Sequence, residues 1–94
     1  MPKIRDNQTD DLMTALLTLQ TVDEAYAFFE DLCTVREIKS MAQRFEVAKM
    51  LSQGRVYSDI VENTGASTAT ISRVNRSLEY GADGYSVVFE RMSK

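Results

Sequence analysis

The sequence lacks most of the residues on which enzyme chemistry and metal binding depend. Its 94 residues include no histidine and a single cysteine, Cys33. Without histidine, acid–base catalysis by imidazole is excluded, and one thiol is too few for a structural zinc site. The sequence contains neither GxGxxG nor GxxxxGK followed by Ser or Thr, so these two phosphate-binding loops are absent. We therefore predict that the protein is not an enzyme and holds no metal.

The sequence also lacks long apolar segments and any second cysteine, and both absences indicate where in the cell the protein is expected. One cysteine cannot form an intrachain disulfide, which fits a reducing cytosol. No apolar run approaches the roughly 18 residues that a transmembrane helix needs. The N-terminal MPKIRDNQTDD has no apolar core of the kind that secretory leaders carry. We therefore expect a cytoplasmic protein without a leader and without a membrane partner.

The composition is that of one small globular domain covering residues 1–94. The apolar share is 44%, which is too high for a disordered chain. A domain this short buries a limited share of its surface, so its stability depends on good packing or on oligomerisation. The net charge of −3 argues weakly against a nucleic-acid partner, but residues 34–78 hold seven basic and four acidic side chains. Because the local field steers DNA more than the net charge does, this excess is compatible with DNA binding; an ordinary solvated surface is the alternative.

Apolar residues recur at helical spacing, and no segment has the clear period of two that indicates a strand. A first helix is expected after a cap at Thr9 or Asp10, and a second after the capping box Thr21–Glu24. The last of six expected helices is amphipathic and too short to be stable alone. Its apolar residues are Tyr85, Val88, Phe89 and Met92.

The third helix is expected to be the longest, from Val35 to about Gln53. The capping box Thr34–Glu37 precedes it, and Gly54 suits the position after its end, where positive φ is needed. Its predicted inner stripe consists of Val35, Ile38, Met41, Phe45, Ala48 and Leu51.

The most informative segment is YSDIVENTGASTATISRVNRSL, at about residues 57–78. It predicts a short helix capped by Ser58, a tight turn at Gly65 and a second helix capped by Ser67. Two short helices joined in this way form a helix-turn-helix, whose second helix enters the DNA major groove. The inward-facing residues of that second helix are expected to be Ile71, Val74 and Leu78.

Short polar side chains and arginines crowd this second helix. Hydroxyl groups donate to phosphates or base edges, small apolar groups contact thymine methyls, and arginine pairs with guanine or with phosphate. The residues expected on the DNA face are Ser67, Thr68, Ala69, Thr70, Ser72, Arg73 and Arg76. The alternative is that the hydroxyls provide only a helix cap and a solvated surface.

Two other functional classes stay open at this point. An all-helical dimeric interaction protein with a non-functional helix-turn-helix would bind no DNA at any salt concentration and would persist as a dimer. The second class is a small enzyme or ligand sensor that does not bind DNA. The absence of histidine and of phosphate-binding loops argues against this class.

Residues 34–78 resemble the core of the bacterial tryptophan repressor family. The segment GASTATISRVNRSL, Gly65–Leu78, is similar to the Trp-repressor-like subgroup called YerC/YecD, and the flanking helices match in order and length. The resemblance implies an all-α fold of six helices per subunit in an intertwined homodimer. It also implies a transcription regulator, usually a repressor in amino-acid metabolism, that binds a near-palindromic double-stranded site with half-sites roughly 34 Å apart.

The resemblance further implies a possible effector site. The positions that match family residues in contact with bound tryptophan are Thr34, Arg44, Arg73 and Ser77. Family members that bind this corepressor carry a glycine after the arginine of the recognition helix, where the indole ring needs room. This sequence has Val74 there, so we expect that tryptophan is not a cofactor. Another amino acid, or no effector at all, is compatible with the sequence.

Overall fold

The computed structural model describes residues 4–94, which form six α-helices and no strand. The expected all-α fold is thereby confirmed. Across these residues every helix is too short or too polar to traverse a lipid bilayer. The helices are α1 (Asn7–Leu16), α2 (Val22–Leu32), α3 (Val35–Ser52), α4 (Tyr57–Thr64), α5 (Thr68–Tyr80) and α6 (Gly84–Met92).

Side-chain caps define where the first helices begin. Helix α1 starts earlier than predicted, because the Asp6 carboxylate accepts the Thr9 N–H at 2.7 Å and Asp6 is therefore its N-cap, instead of Thr9 or Asp10. Several cap-forming residues follow one another here, and sequence alone does not distinguish among them. Before α2, Thr21 Oγ1 accepts the Glu24 N–H at 3.0 Å as predicted, whereas the Glu24 carboxylate accepts from Gln20.

Helix α3 has the capping box that the sequence predicts. The Thr34 hydroxyl accepts the Glu37 N–H at 3.1 Å, and the Glu37 carboxylate accepts the Thr34 N–H at 2.8 Å. The helix ends at Ser52, one residue before the expected end, and Gly54 has a φ of 80°. Both ends of the longest helix are thus set by residues within a few positions of them.

The chain divides into two compact units between Ile38 and Lys39. In the first unit, neither α1 nor α2 has a fully buried residue. Phe28 and Phe29 contact each other edge to face, with ring centroids 6.1 Å apart. Leu17 and Val22 are respectively 87% and 72% exposed, so much of the apolar surface of this unit lies open.

The second unit holds the buried core. Its members are Val47, Ala48, Met50, Ile60, Ala66, Ile71 and Val74. The stripe predicted for α3 is therefore wrong in part, because Val35 is 71% and Met41 is 37% exposed, whereas Val47 and Met50 are buried. The physical reason is that α4 and α5 cover only the C-terminal half of α3, and they cover the side on which Val47 and Met50 lie.

Helix α6 packs on the same unit through aromatic rings. The Phe45 ring lies 5.2 Å from that of Phe89, and Tyr85 stacks on Phe89 at 6.0 Å. Val88 and Met92, which the sequence also assigns to the apolar face of α6, are 43% and 65% exposed. The helix thus buries about half of its apolar face against this unit.

Candidate nucleic-acid interface

Residues 65–67 form the turn between α4 and α5. Gly65 adopts a left-handed backbone with φ 73°, and its N–H donates to the Val61 carbonyl at 2.9 Å. Only glycine adopts this conformation without a steric cost. Ser67 then caps α5, since its Oγ accepts the Thr70 N–H at 3.1 Å. The predicted turn and the predicted cap of the second helix are both confirmed.

Helix α4 begins at Tyr57, earlier than the predicted start at Asp59. The N-cap is Val56, which offers no side-chain bond, and Ser58 lies inside the first turn. Arg55 pairs instead with Asp59, and its guanidinium lowers the pKa of the Asp59 carboxyl. An ion pair therefore takes the place of the predicted serine cap, with the carboxylate near the positive end of the helix dipole.

The end of α4 is held by three hydrogen bonds centred on Thr64. Its Oγ1 donates to the Ile60 carbonyl at 2.7 Å and accepts the Ala66 N–H at 3.1 Å. Its carbonyl accepts from the Gln43 side-chain amide of α3 at 3.1 Å. The turn is thus tied both to its own helix and to α3.

The two helices of this unit meet through apolar side chains that are almost completely buried. Ile60 and Ile71 have no exposed surface, and Ala66 and Val74 are each 2% exposed. Val47, Ala48 and Met50 of α3 complete the cluster. Because one side of α5 is buried in this core, the opposite side must face solvent.

That opposite side of α5 forms an open groove of about 620 Å³. Its lining residues are Ala69, Ser72, Arg73, Arg76, Ser77, Tyr80 and Gly81. Within residues 4–94, neither Arg73 nor Arg76 takes part in an ion pair. The groove therefore presents two arginine side chains and two serine hydroxyls to solvent, which suits hydrogen bonding to phosphates and base edges.

The remaining residues predicted for the DNA face lie at the N-terminal end of α5. Ser67 and Thr68 are exposed, whereas Thr70 is half-buried. The Thr70 hydroxyl accepts from Ser67 Oγ at 3.1 Å, so it belongs to the cap. The structure therefore places four of the seven predicted residues along the groove and three at the start of the helix.

The residues of the possible effector site are distributed differently. Arg73 and Ser77 line the α5 groove, but Arg44 does not. Arg44 lies on α3, where its Nη1 donates to Ser40 Oγ at 3.4 Å. Thr34 belongs to the other compact unit, and its hydroxyl caps α3.

Tyr80 and Gly81 also belong to this surface, although the sequence did not predict them there. Helix α5 continues to Tyr80, beyond the predicted end at Leu78. Tyr80 is 81% exposed and follows Arg76 by four positions, which places both on one helical face. The spacing from Arg76 was the signal that would have found it.

Comparison with known proteins agrees with this geometry. The family model of the Trp repressor protein matches residues 7–93. The uncharacterized protein YerC of Bacillus subtilis is 50% identical over 92 residues, which are 98% of this chain and 88% of that protein. The crystal structure of a TrpR-like protein from Eubacterium eligens has a TM-score of 0.92 at 61% identity, covering 96% of this chain and 93% of that one. A crystal structure from Staphylococcus aureus, proposed to be a Trp repressor, has a TM-score of 0.92 at 52% identity, with 96% and 90% covered.

A helix-turn-helix with a cationic outer face on its second helix is the feature that defines this class of protein, the DNA-binding transcription regulators. Within this class, the chain belongs to the Trp repressor protein family and is similar to the YerC-like subgroup. The proteins of this family are regulatory DNA-binding proteins and not enzymes. The resemblance found in residues 34–78 and the prediction of a non-enzymatic protein are thereby confirmed.

Proposed function

We propose that the protein is a dimeric repressor of transcription that inserts α5 into the major groove of a near-palindromic DNA site. The observation that carries the proposal is the outer side of α5, where Arg73 and Arg76 face solvent without an ion-pair partner in residues 4–94. An arginine free of internal partners can form two parallel hydrogen bonds to guanine or to phosphate. The buried opposite side of α5 holds both side chains outward. Genes of amino-acid biosynthesis are the proposed targets, as the family resemblance implies.

The proposed dimer is supported by apolar side chains that a single chain leaves in water. Leu17, Val22 and Val35 are each more than 70% exposed. Burying one such side chain fully is worth roughly 1.5–3 kcal/mol, so a second copy of the chain would gain free energy by covering them. A two-fold dimer also matches the two half-sites of a near-palindrome.

We infer further that tryptophan is not the effector. Val74 is only 2% exposed and belongs to the core beside Ile71. Its methyl groups stand at the position where family members that bind tryptophan carry a glycine, and the family resemblance implies that an indole ring needs the room of that glycine. Arg44, Arg73 and Ser77, which belong to the same compact unit, stay candidates for a different amino acid, whose carboxylate would bind to Arg44 and Arg73. Tryptophan binding with a submillimolar dissociation constant in calorimetry would contradict this inference.

The test of the function is selection of bound fragments from random double-stranded DNA, with and without a mixture of amino acids. The matched control is a protein with both Arg73→Ala and Arg76→Ala, which changes only exposed side chains. We expect the unmodified protein to enrich a near-palindrome and the control to enrich none.

The two arms of the selection also decide the role of an effector. Enrichment that requires one amino acid would make Arg44 and Arg73 its ligands, whereas enrichment in both arms would mean that the dimer binds DNA unaided. No enrichment from a folded dimer at low salt would contradict the proposal and would favour an interaction protein.

A further inference from the structure

One hydrogen bond connects a side chain of α3 to the helix-turn-helix. Gln43 donates from Nε2 to the Thr64 carbonyl at 3.1 Å, across 21 positions of sequence. Every other side-chain hydrogen bond within residues 4–94 joins groups no more than four positions apart. The ion pairs in this part of the chain are equally local. Gln43 is therefore the polar link between α3 and the end of α4.

The acceptor of this bond has a special place in the fold. The last carbonyls of a helix have no partner within the helix, and Thr64 is the last residue of α4. Its carbonyl belongs to the peptide group that connects it to Gly65, where the backbone becomes left-handed and leaves α4. Whatever fixes this peptide plane also fixes the direction in which the chain enters α5.

Apolar packing alone does not supply that direction. The contacts of Ile60, Ile71 and Val74 with the α3 core are buried but non-directional. A hydrogen bond, in contrast, constrains both distance and angle. The Gln43 amide thus adds an orientational constraint at the point where α4 turns into α5.

We propose that Gln43 is a positioning residue for DNA recognition. It sets the orientation of the Thr64–Gly65 peptide, and through it the angle at which α5 meets the major groove, without contacting DNA itself. This inference rests on the DNA-binding function proposed above, which supplies the role that the angle serves.

The test compares two glutamine-to-methionine variants of the full chain. Gln43→Met keeps the length and the helix propensity of the side chain but removes the donor. Gln53→Met is the matched control, since Gln53 is exposed, belongs to the same compact unit and makes no side-chain hydrogen bond within residues 4–94. Two quantities are measured: hydrogen exchange of the Gly65 and Ala66 amides without DNA, and affinity for the selected DNA site.

We expect Gln43→Met to speed exchange at both amides relative to the control. We also expect its affinity for the selected site to fall about three- to tenfold, the usual net value of one hydrogen bond. Its affinity for random DNA and its salt dependence should match those of the control, because no phosphate contact has been removed. A residue that only stabilised the fold would lower thermal stability and leave the preference for the selected site unchanged.

DNA binding by the unmodified protein distinguishes a failure of the proposed function from a failure of the positioning role of Gln43. If it binds no DNA, the proposed function fails, and the role of Gln43 in recognition fails with it. If it binds its site and Gln43→Met shows either unchanged exchange or unchanged site preference, the positioning role alone is overturned. Faster exchange combined with a selective loss of site affinity supports it.

Discussion

Arg73 lies in the middle of the exposed side of α5, between Ser72 and the buried Val74. We predict that Arg73→Ala weakens binding to the selected site by about 1–3 kcal/mol, because a bidentate contact to guanine is lost. The measurement is a binding isotherm at fixed salt. Arg91→Ala, an exposed arginine in the last turn of α6, serves as the control. Unchanged affinity would remove Arg73 from the contact list, and a uniformly smaller salt slope would make it a phosphate contact.

Gly65 is the residue on which the turn depends most directly. A Cβ added to it meets no atom within 4 Å, but its φ is +73°. Gly65→Ala should therefore lower the free energy of unfolding by about 1–2 kcal/mol through backbone strain alone. Urea unfolding measures this cost. Gly84→Ala provides the comparison, because its Cβ is equally free and no positive φ is involved. Equal stability of the two variants would show that the turn tolerates a side chain.

The start of α5 depends on a side-chain cap, whereas the start of α4 does not. Ser67→Ala removes the acceptor of the Thr70 N–H and should cost about 1 kcal/mol of stability. Ser58→Ala should change little, since Ser58 lies within the first turn of α4 and caps nothing. Thermal unfolding of both variants tests this difference. A loss of stability in Ser58→Ala comparable to that in Ser67→Ala would restore the serine cap expected from the sequence.

The ion pair at the start of α4 makes stability depend on pH. The hydrogen bond from Arg55 lowers the pKa of Asp59 below its ordinary value of 3.8. A lowered folded-state pKa means that the stabilisation is complete above the unfolded value and is lost as pH falls through the folded one. When the pH falls from about 5 to about 2, the free energy of unfolding of Asp59→Asn should therefore decrease less than that of the unmodified protein. Denaturant unfolding at each pH measures this free energy.

A control for this pH effect is Asp31→Asn, which removes an exposed carboxylate that makes no hydrogen bond in residues 4–94. Its acid transition should follow that of the unmodified protein, because this variant keeps the ion pair between Arg55 and Asp59. Asp6 and Glu37 also have lowered pKa values, because each accepts backbone N–H bonds at a helix start. Some acid sensitivity should therefore persist in Asp59→Asn, and an unaltered acid transition would argue against the role of the ion pair.

At the scale of the whole molecule, the exposed apolar side chains predict association of two copies. We expect a stable dimer in sedimentation at micromolar concentration and an unfolding temperature that rises with protein concentration. Leu17→Glu, which places a charge at a side chain now 87% exposed, should shift the protein toward monomer. Gln8→Glu adds the same charge to an exposed polar position of α1 and should have no such effect. A folded monomer of the unmodified protein at these concentrations would contradict the proposed dimer.

Local features of the fold were open to prediction from the sequence. The caps at Thr34 and Ser67 and the glycine at position 65 each depend on groups within four positions along the chain. Where several cap-forming residues compete, as around Asp6 and Ser58, the same local rules placed helix starts two to four residues late. The family could also be recognised, because the GASTATISRVNRSL string combines these local signals in one order.

The sequence by itself thus determined six helices, the helix-turn-helix and the candidate DNA residues, since periodicity and caps act over short distances. Only the tertiary structure decided that Val47 and Met50 are buried while Val35 and Met41 are exposed. It also decided that Gln43 binds the Thr64 carbonyl. The physical reason is that burial and long-range hydrogen bonds depend on which helices meet in space. The spacing of residues within one helix does not specify which other helices pack against it.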